Sequence, residues 1–214
     1  MQAHPDVHRP PGARPKELHY FAPYWHRPFT DEAVRDYAEF FPRPEGGLAG
    51  EWTPRYMADF WTPALLARVA PEAKLLVLLR DPIDRYLSGI TFNASHGAPR
   101  HPVIALESAW RGLYHAQLSN VLEHFPRERV LVQQYERCRT DPDGEIARTY
   151  RFLGLDPTHV PTDIRAHVNR TEVSKEETPD EVIAALQVFY ERDTAQLLEA
   201  FPEIDGALWR STPT

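Results

Sequence analysis

The most constraining stretch of this chain is KLLVLLRDPIDRYLSGI, residues 74–90. It contains five consecutive apolar residues, Leu75–Leu79, which is typical of a strand covered on both faces of a sheet. Asp81 can then cap a helix whose first residue is Pro82. The stretch therefore predicts a strand, a tight turn and a helix, with Arg80 at the carboxyl end of the strand.

The carboxyl end of such a strand is a place where α/β proteins bind ligands, and the following helix offers unpaired N–H groups. Arg80 adds a guanidinium whose donors match phosphate or sulfate oxygens. Ser88 lies about two turns into the predicted helix. These residues therefore suggest a site for an anionic group such as phosphate. They leave open the alternative that Arg80 pairs with Asp81 or Asp84 and that Ser88 is an ordinary helical serine.

Two further apolar runs, Leu18–Phe21 and Val130–Gln134, are also interpreted as buried strands. Helical patterns lie between the three runs, which predicts an α/β protein with a parallel sheet. The chain has 214 residues, enough for one sizeable core but few for two. We therefore expect residues 1–214 to form a single domain.

Several helices carry local start or end signals. Amphipathic patterns cover Gly112–Phe125, Glu145–Leu153 and Val182–Leu198. Thr178, followed by Pro179 and then Glu181, predicts a side-chain cap, a proline at the first helical position and a capping box. Gly154 suits the left-handed position that follows a helix.

Composition narrows the class of protein. Acidic residues outnumber basic ones by 31 to 24, which argues against binding nucleic acid through the overall field. Cys138 is the only cysteine, so an internal disulfide is excluded and a cysteine-based zinc site would lack ligands. No apolar stretch has the length that spans a bilayer, and the N-terminal residues lack the apolar centre of a secretory signal. We expect a cytoplasmic protein with no metal and no membrane or nucleic-acid partner.

The ordered set of motifs in this chain resembles the sulfotransferases that use 3′-phosphoadenosine 5′-phosphosulfate (PAPS). The resembling segments are HPDV with KELHYF, GEWTPRYM, KLLVLLRDPIDRYLSGI, GLYHAQLSNVLEHFPRERVLVQQYE, YRFLGLDP and FPEIDGALW. They span essentially the whole chain and are most similar to the glycan-sulfating and bacterial branch, including heparan sulfate sulfotransferase domains. The resemblance implies a three-layer α/β fold of the P-loop-like type. It also implies transfer of a sulfuryl group from PAPS to a hydroxyl or amine of a glycan or small-molecule acceptor.

The resemblance assigns the donor's 3′-phosphate to residues of the first stretch described above. Arg80 and Ser88 carry over as phosphate ligands. Arg85 matches the same motif and is a further candidate ligand. Its helical position equally allows a structural ion pair with Asp81, one turn earlier.

The resemblance also implies a catalytic base. Glu17 carries over as the group that takes the acceptor's proton, and His19 lies two residues later. On an extended strand the two side chains would face one cleft. The alternative is that Glu17 only pairs with Lys16 or Arg14 at a strand end.

The chain departs from the family's pattern at two places. Trp52 stands where the Glu-Lys-Thr-Pro segment usually has a lysine, although Glu51, Thr53 and Tyr56 are kept. The Gly-x-x-Lys-x-Gly-Thr-Thr loop that holds the 5′-phosphosulfate is not found in these 214 residues, and MQAHPDV resembles the end of the helix after that loop. We therefore expect an N-terminally truncated fold, in a chain that either begins upstream or is an inactive nucleotide- or glycan-binding remnant. The 214 residues alone are expected to transfer no sulfate.

Overall fold

A computed structural model gives the structure of the chain and describes residues 4–8, 17–41, 47–97, 101–162, 164–165 and 178–212. In these ranges the strands β1 to β4 are Val7–His8, Leu48–Ala49, Leu75–Leu79 and Val130–Gln134. The helices α1 to α9 are Asp31–Glu39, Arg55–Ala58, Thr62–Val69, Pro82–Ser95, Pro102–Trp110, Tyr114–Leu122, Tyr135–Thr140, Pro142–Leu153 and Asp180–Ala200. Short 3-10 helices are Ala22–Trp25, Arg127–Arg129 and Gly206–Leu208.

The N-terminal strand β1 was not predicted. It runs parallel to β2, with Val7 opposite Leu48 and His8 opposite Ala49. The Leu48 N–H donates to the Asp6 carbonyl at 2.8 Å, so the backbone before β1 is held by the partner strand. The interpretation of MQAHPDV as the end of a helix is therefore wrong for residues 4–7, which form a turn and then a strand.

Strands β3 and β4 pair with each other and have the bounds that their apolar runs predict. The turn after β3 also agrees with its sequence signals. The Asp84 N–H donates to the Asp81 side chain at 2.8 Å, and α4 begins at Pro82. The predicted α/β class is confirmed, with parallel strand pairing and helices between the strands.

The predicted strand Leu18–Phe21 is wrong. Three of its N–H groups donate to side-chain oxygens instead of to a neighbouring strand. Leu18 and His19 donate to Thr53, at 3.1 and 3.5 Å, and Tyr20 donates to Tyr56 at 2.8 Å. His19 has a left-handed φ of +50°, which an extended strand does not contain. The run instead turns into the 3-10 helix Ala22–Trp25.

The long helix α9 begins differently from its prediction. Pro179 is itself the N-cap residue, and its carbonyl accepts from the Val182 N–H at 2.9 Å, so Thr178 lies one residue too early to cap. Helix α8 begins at Pro142, earlier than predicted, and ends at Leu153. Gly154 then has a φ of +82°, as predicted for a left-handed position.

Helix α6, Tyr114–Leu122, lies inside the predicted range Gly112–Phe125. Its start is held by another part of the chain. The N–H groups of His115 and Ala116 donate to the two carboxylate oxygens of Asp193, each at 3.0 Å. This interaction places the first helical turn at residue 114 and has no local sequence signal.

The Cα positions group into two compact units. The first comprises Met1–Leu75, Gln117–Leu131 and Asp143–Ile164, and the second Leu76–Ala116, Val132–Pro142 and Arg165–Thr214. Phe21 and Tyr37 are buried in the first unit. Ile83, Leu186 and Tyr190 form a buried cluster in the second. Among the described residues, no helix combines the length and the apolar character that crossing a membrane requires.

Candidate active site

Glu17 and His19, the two acceptor-side candidates, lie close together in the first unit. The Glu17 Oε2 and His19 Nε2 atoms are 3.3 Å apart, and the side chains are 38% and 49% exposed. Their proximity does not come from strand parity, because His19 has a left-handed backbone that turns its ring towards the carboxylate. Such a φ is uncommon for a residue with a side chain and is concentrated at functional sites. Lys16 and Arg14, the alternative partners of Glu17, lie outside the described residues.

A buried hydroxyl network holds the backbone that carries this pair. The Thr53 hydroxyl accepts from the Leu18 N–H at 3.1 Å and donates to Glu51 Oε2 at 2.7 Å. The Tyr37 hydroxyl donates to Glu51 Oε1 at 2.7 Å. Burial and the Glu51 charge both raise the pKa of Tyr37, so Tyr37 keeps its proton and remains a donor. Glu51 and Thr53 belong to the GEWTPRYM motif, so the structure gives these motif residues a positioning role.

Aromatic side chains with polar tips provide the other anchors. The Tyr20 N–H donates to the Tyr56 hydroxyl at 2.8 Å, and the Tyr20 hydroxyl donates to the Ala33 carbonyl at 2.7 Å. Trp61 Nε1 donates to the Phe21 carbonyl at 2.9 Å. Sequence reasoning missed these contacts, although buried tyrosine and tryptophan generally find such partners for their polar ends.

Replacing Thr53 by Val tests the hydroxyl network. The variant leaves the Leu18 N–H and the Glu51 carboxylate without their partner, so we expect the free energy of unfolding to fall by about 1–2 kcal/mol. The matched control is Thr62→Val, since the Thr62 hydroxyl is buried without a hydrogen-bond partner among the described residues. Urea unfolding of both variants is the measurement. Equal losses of stability in the two variants would contradict the network's role.

A pocket of about 530 Å³ opens beside the pair. It is lined by His19, Ala22, Trp25, Arg55 and Trp61, all in the first unit. Its volume lies in the range of small-molecule sites, about 300–1,000 Å³. Because His19 both lines the pocket and contacts Glu17, a molecule in the pocket lies next to a possible base.

Arg80, the first donor-side candidate, lies at the end of β3 in the second unit. Its side chain is 28% exposed, and its guanidinium carbon lies 5.1 Å from the centre of the Tyr135 ring. Its Nη2 atom is 3.7 Å from Asp84 Oδ2, so the pairing that the sequence left open is present. Asp84 also accepts a hydrogen bond from Arg210. Ser88 follows Asp84 by one helical turn and lies on the same face of α4.

Three residues outside the turn hold the start of α4. The Asp81 N–H donates to Glu136 Oε1 at 3.0 Å, and Trp209 Nε1 donates to Glu136 Oε2 at 2.9 Å. The Ser211 N–H donates to Asp81 Oδ2 at 2.9 Å. The N–H groups of Asp84 and Ser211 thus donate to the two oxygens of the buried Asp81 carboxylate, one to each. The segment GLYHAQLSNVLEHFPRERVLVQQYE ends at Glu136 and FPEIDGALW ends at Trp209, but sequence reasoning gave neither residue a contact with the α4 turn and missed Ser211.

Arg85, the third donor-side candidate, points towards a neighbouring helix. Its guanidinium donates to the Ser108 carbonyl, and burial lowers its pKa, while the nearby Tyr190 acts in the opposite direction. The guanidinium of Arg85 thus contacts Ser108 and not the Asp81 carboxylate, the alternative ion-pair partner. Asp81 and Arg85 interact through the backbone, where the Arg85 N–H donates to the Asp81 carbonyl at 2.8 Å. The contact to Ser108 gives Arg85 a structural role, and a role in phosphate binding stays a prediction.

Residues 53–193 match the model of the sulfotransferase domain family. The chain therefore belongs to this family. The mouse heparan sulfate glucosamine 3-O-sulfotransferase 6 is 32% identical over 186 residues, which cover 80% of this chain and 51% of that protein. The human heparan sulfate glucosamine 3-O-sulfotransferase 3B1 is 30% identical over 188 residues, which cover 80% of this chain and 45% of that protein. This chain thus spans about half the length of the curated relatives it matches.

A solved structure supports the fold. The sulfotransferase from Alicyclobacillus acidocaldarius superposes on this protein with a TM-score of 0.75. The superposed residues cover 97% of this chain and 90% of that chain. The two sequences are 24% identical. The predicted sulfotransferase fold is confirmed by this likeness together with the family match.

Proposed function

We propose that this protein transfers a sulfuryl group from PAPS to a hydroxyl or amine of a glycan or small-molecule acceptor. Membership of the sulfotransferase domain family supports the reaction class. The observation that carries the proposal is the contact between Glu17 and His19, 3.3 Å apart, beside a pocket of suitable size. The contact supports Glu17 as a base beside a bound acceptor.

On the acceptor side, Glu17 acts as the general base. Its carboxylate takes the proton of an acceptor hydroxyl while the hydroxyl oxygen attacks the sulfur of the donor. A new S–O bond forms to the acceptor, and the bond between sulfur and the 5′-phosphate oxygen breaks. The leaving group is 3′-phosphoadenosine 5′-phosphate. His19, whose Nε2 atom lies 3.3 Å from Glu17 Oε2, orients the Glu17 carboxylate.

On the donor side, Arg80 and Ser88 bind the 3′-phosphate. The Arg80 guanidinium is partly exposed, and its 3.7 Å contact with Asp84 is long enough to be exchanged for a bidentate phosphate contact. The N-terminus of α4 adds partial positive charge at the same turn. Arg85 is the third proposed ligand, and it reaches a phosphate only by giving up its hydrogen bond to the Ser108 carbonyl.

A transfer assay on the full-length protein tests the proposal. Sulfur-labelled PAPS is supplied with a panel of neutral sugars, phenols and sulfated saccharides. The expected result is a labelled acceptor and an equal amount of released 3′-phosphoadenosine 5′-phosphate. Binding of the nucleotide without transfer to any acceptor would contradict the proposal and indicate a non-catalytic nucleotide-binding protein.

A further inference from the structure

The pocket beside His19 has a largely aromatic lining. Trp25 is 66% exposed, so its indole face is available to a ligand. Trp61 is held by the hydrogen bond from its Nε1 atom to the Phe21 carbonyl, which fixes the orientation of a second indole. Ala22 leaves room between the larger side chains. Flat aromatic faces bind rings that present an apolar face, because each buries the other's surface.

Among the described lining residues, the two side chains that can carry positive charge, Arg55 and His19, each have a carboxylate partner. Arg55 Nε lies 3.1 Å from each oxygen of Asp59. Asp59 is only 5% exposed, so removing its cation would leave a buried charge without compensation. His19 lies 3.3 Å from Glu17. Among the residues that the structure describes, the lining therefore offers an anionic ligand no positive charge without a carboxylate partner, and the Glu17 carboxylate repels an anion.

We infer that this pocket binds an uncharged acceptor, a hydroxylated ring with an apolar face, and discriminates against sulfated or carboxylated rings. The inference rests on the proposed function, because Glu17 would take the proton of a hydroxyl held in this pocket. It separates this chain from the relatives whose names specify heparan sulfate, a sulfated glycan. Two features of the pocket define this acceptor class. They are the indole faces in its lining and the two ion pairs, His19 with Glu17 and Arg55 with Asp59.

Binding without the donor tests the inference independently of catalysis. The full-length protein is titrated with methyl glucoside, with the same glycoside sulfated at O6, and with 4-methylphenol, each at low and high salt. The neutral glycoside or the phenol should bind about tenfold or more tightly than the sulfated glycoside, because like charges are unfavourable at a binding surface. The affinity for the neutral ligand should not depend on salt. The two neutral probes distinguish a sugar acceptor from an aromatic one.

Three variants locate the binding. Trp25→Ala should weaken binding of the neutral ring by about tenfold, while Trp110→Ala, an exposed indole in the second unit, should leave it unchanged. Asp59→Asn removes the carboxylate charge that compensates Arg55 and should raise the affinity for the sulfated glycoside. A thermal melt of each variant confirms that it folds.

The outcomes separate the inference from the proposed function. Tighter binding of the sulfated ring by the unmodified protein, or no binding of any probe, would overturn the inference. Equal loss of neutral-ring affinity in the Trp25 and Trp110 variants would overturn it as well. Neutral binding that depends on Trp25, with no turnover when PAPS is added, would support the inference and contradict the proposed function.

Discussion

Replacing Glu17 by Gln should lower the rate of sulfate transfer by about a hundredfold or more, the usual contribution of a general base. The substitution keeps the shape of the side chain and its place beside His19, 3.3 Å away, but removes the group that takes the proton. Binding of 3′-phosphoadenosine 5′-phosphate should be unchanged, because the proposed phosphate ligands lie in the second unit.

The measurement is the turnover number at saturating acceptor, together with calorimetric binding of the nucleotide. Glu39→Gln is the matched control, since Glu39 is an exposed glutamate at the end of α1 and should behave like the unmodified protein. Retained turnover in the Glu17 variant would show that Glu17 is only a surface charge. A parallel loss of nucleotide binding would indicate a folding defect and would also contradict the assigned role.

Local sequence signals predicted the strand–turn–helix around Arg80 correctly. Strand β3 and the Asp81 cap are determined by residues that are adjacent in sequence. A short segment of the sequence is therefore enough to predict them. The run Leu18–Phe21, which apart from His19 consists of apolar and aromatic residues, is not a strand. Its N–H groups are bound by Thr53 and Tyr56, 35 and 36 residues further along the chain. No local pattern distinguishes an apolar segment held by side chains from one held by a sheet.

The candidate site was predictable only in part for the same reason. The resemblance pointed to Glu17 and His19, but the expected geometry was an extended strand, whereas a left-handed residue brings the two side chains together. The Glu136 contact to the α4 turn joins residues 55 apart, and the contact of Arg210 with Asp84 joins residues 126 apart. Contacts over such distances depend on the completed fold.

Replacing Arg80 by Ala should weaken the binding of 3′-phosphoadenosine 5′-phosphate by about 1.5–3 kcal/mol, the range for hydrogen bonds to charged groups. Arg80 lies 3.7 Å from the Asp84 carboxylate, and the phosphate of a bound nucleotide is its proposed alternative partner. If the ion pair were its whole role, the variant would change stability and leave nucleotide affinity unaltered. The calorimetric affinity of the folded variant therefore distinguishes the two interpretations.

Asp84→Asn provides the matched comparison, because it removes the competing carboxylate and keeps the side chain's size. Without that charge the Arg80 guanidinium is released for phosphate, and nucleotide affinity should rise by about 0.5–1 kcal/mol, as expected for partly exposed charges. The two substitutions break the same ion pair and are expected to change affinity in opposite directions. If the only consequence were loss of the ion pair, Arg80→Ala and Asp84→Asn would change nucleotide affinity in the same direction. A change of the same sign in both variants would therefore exclude Arg80 as the phosphate ligand.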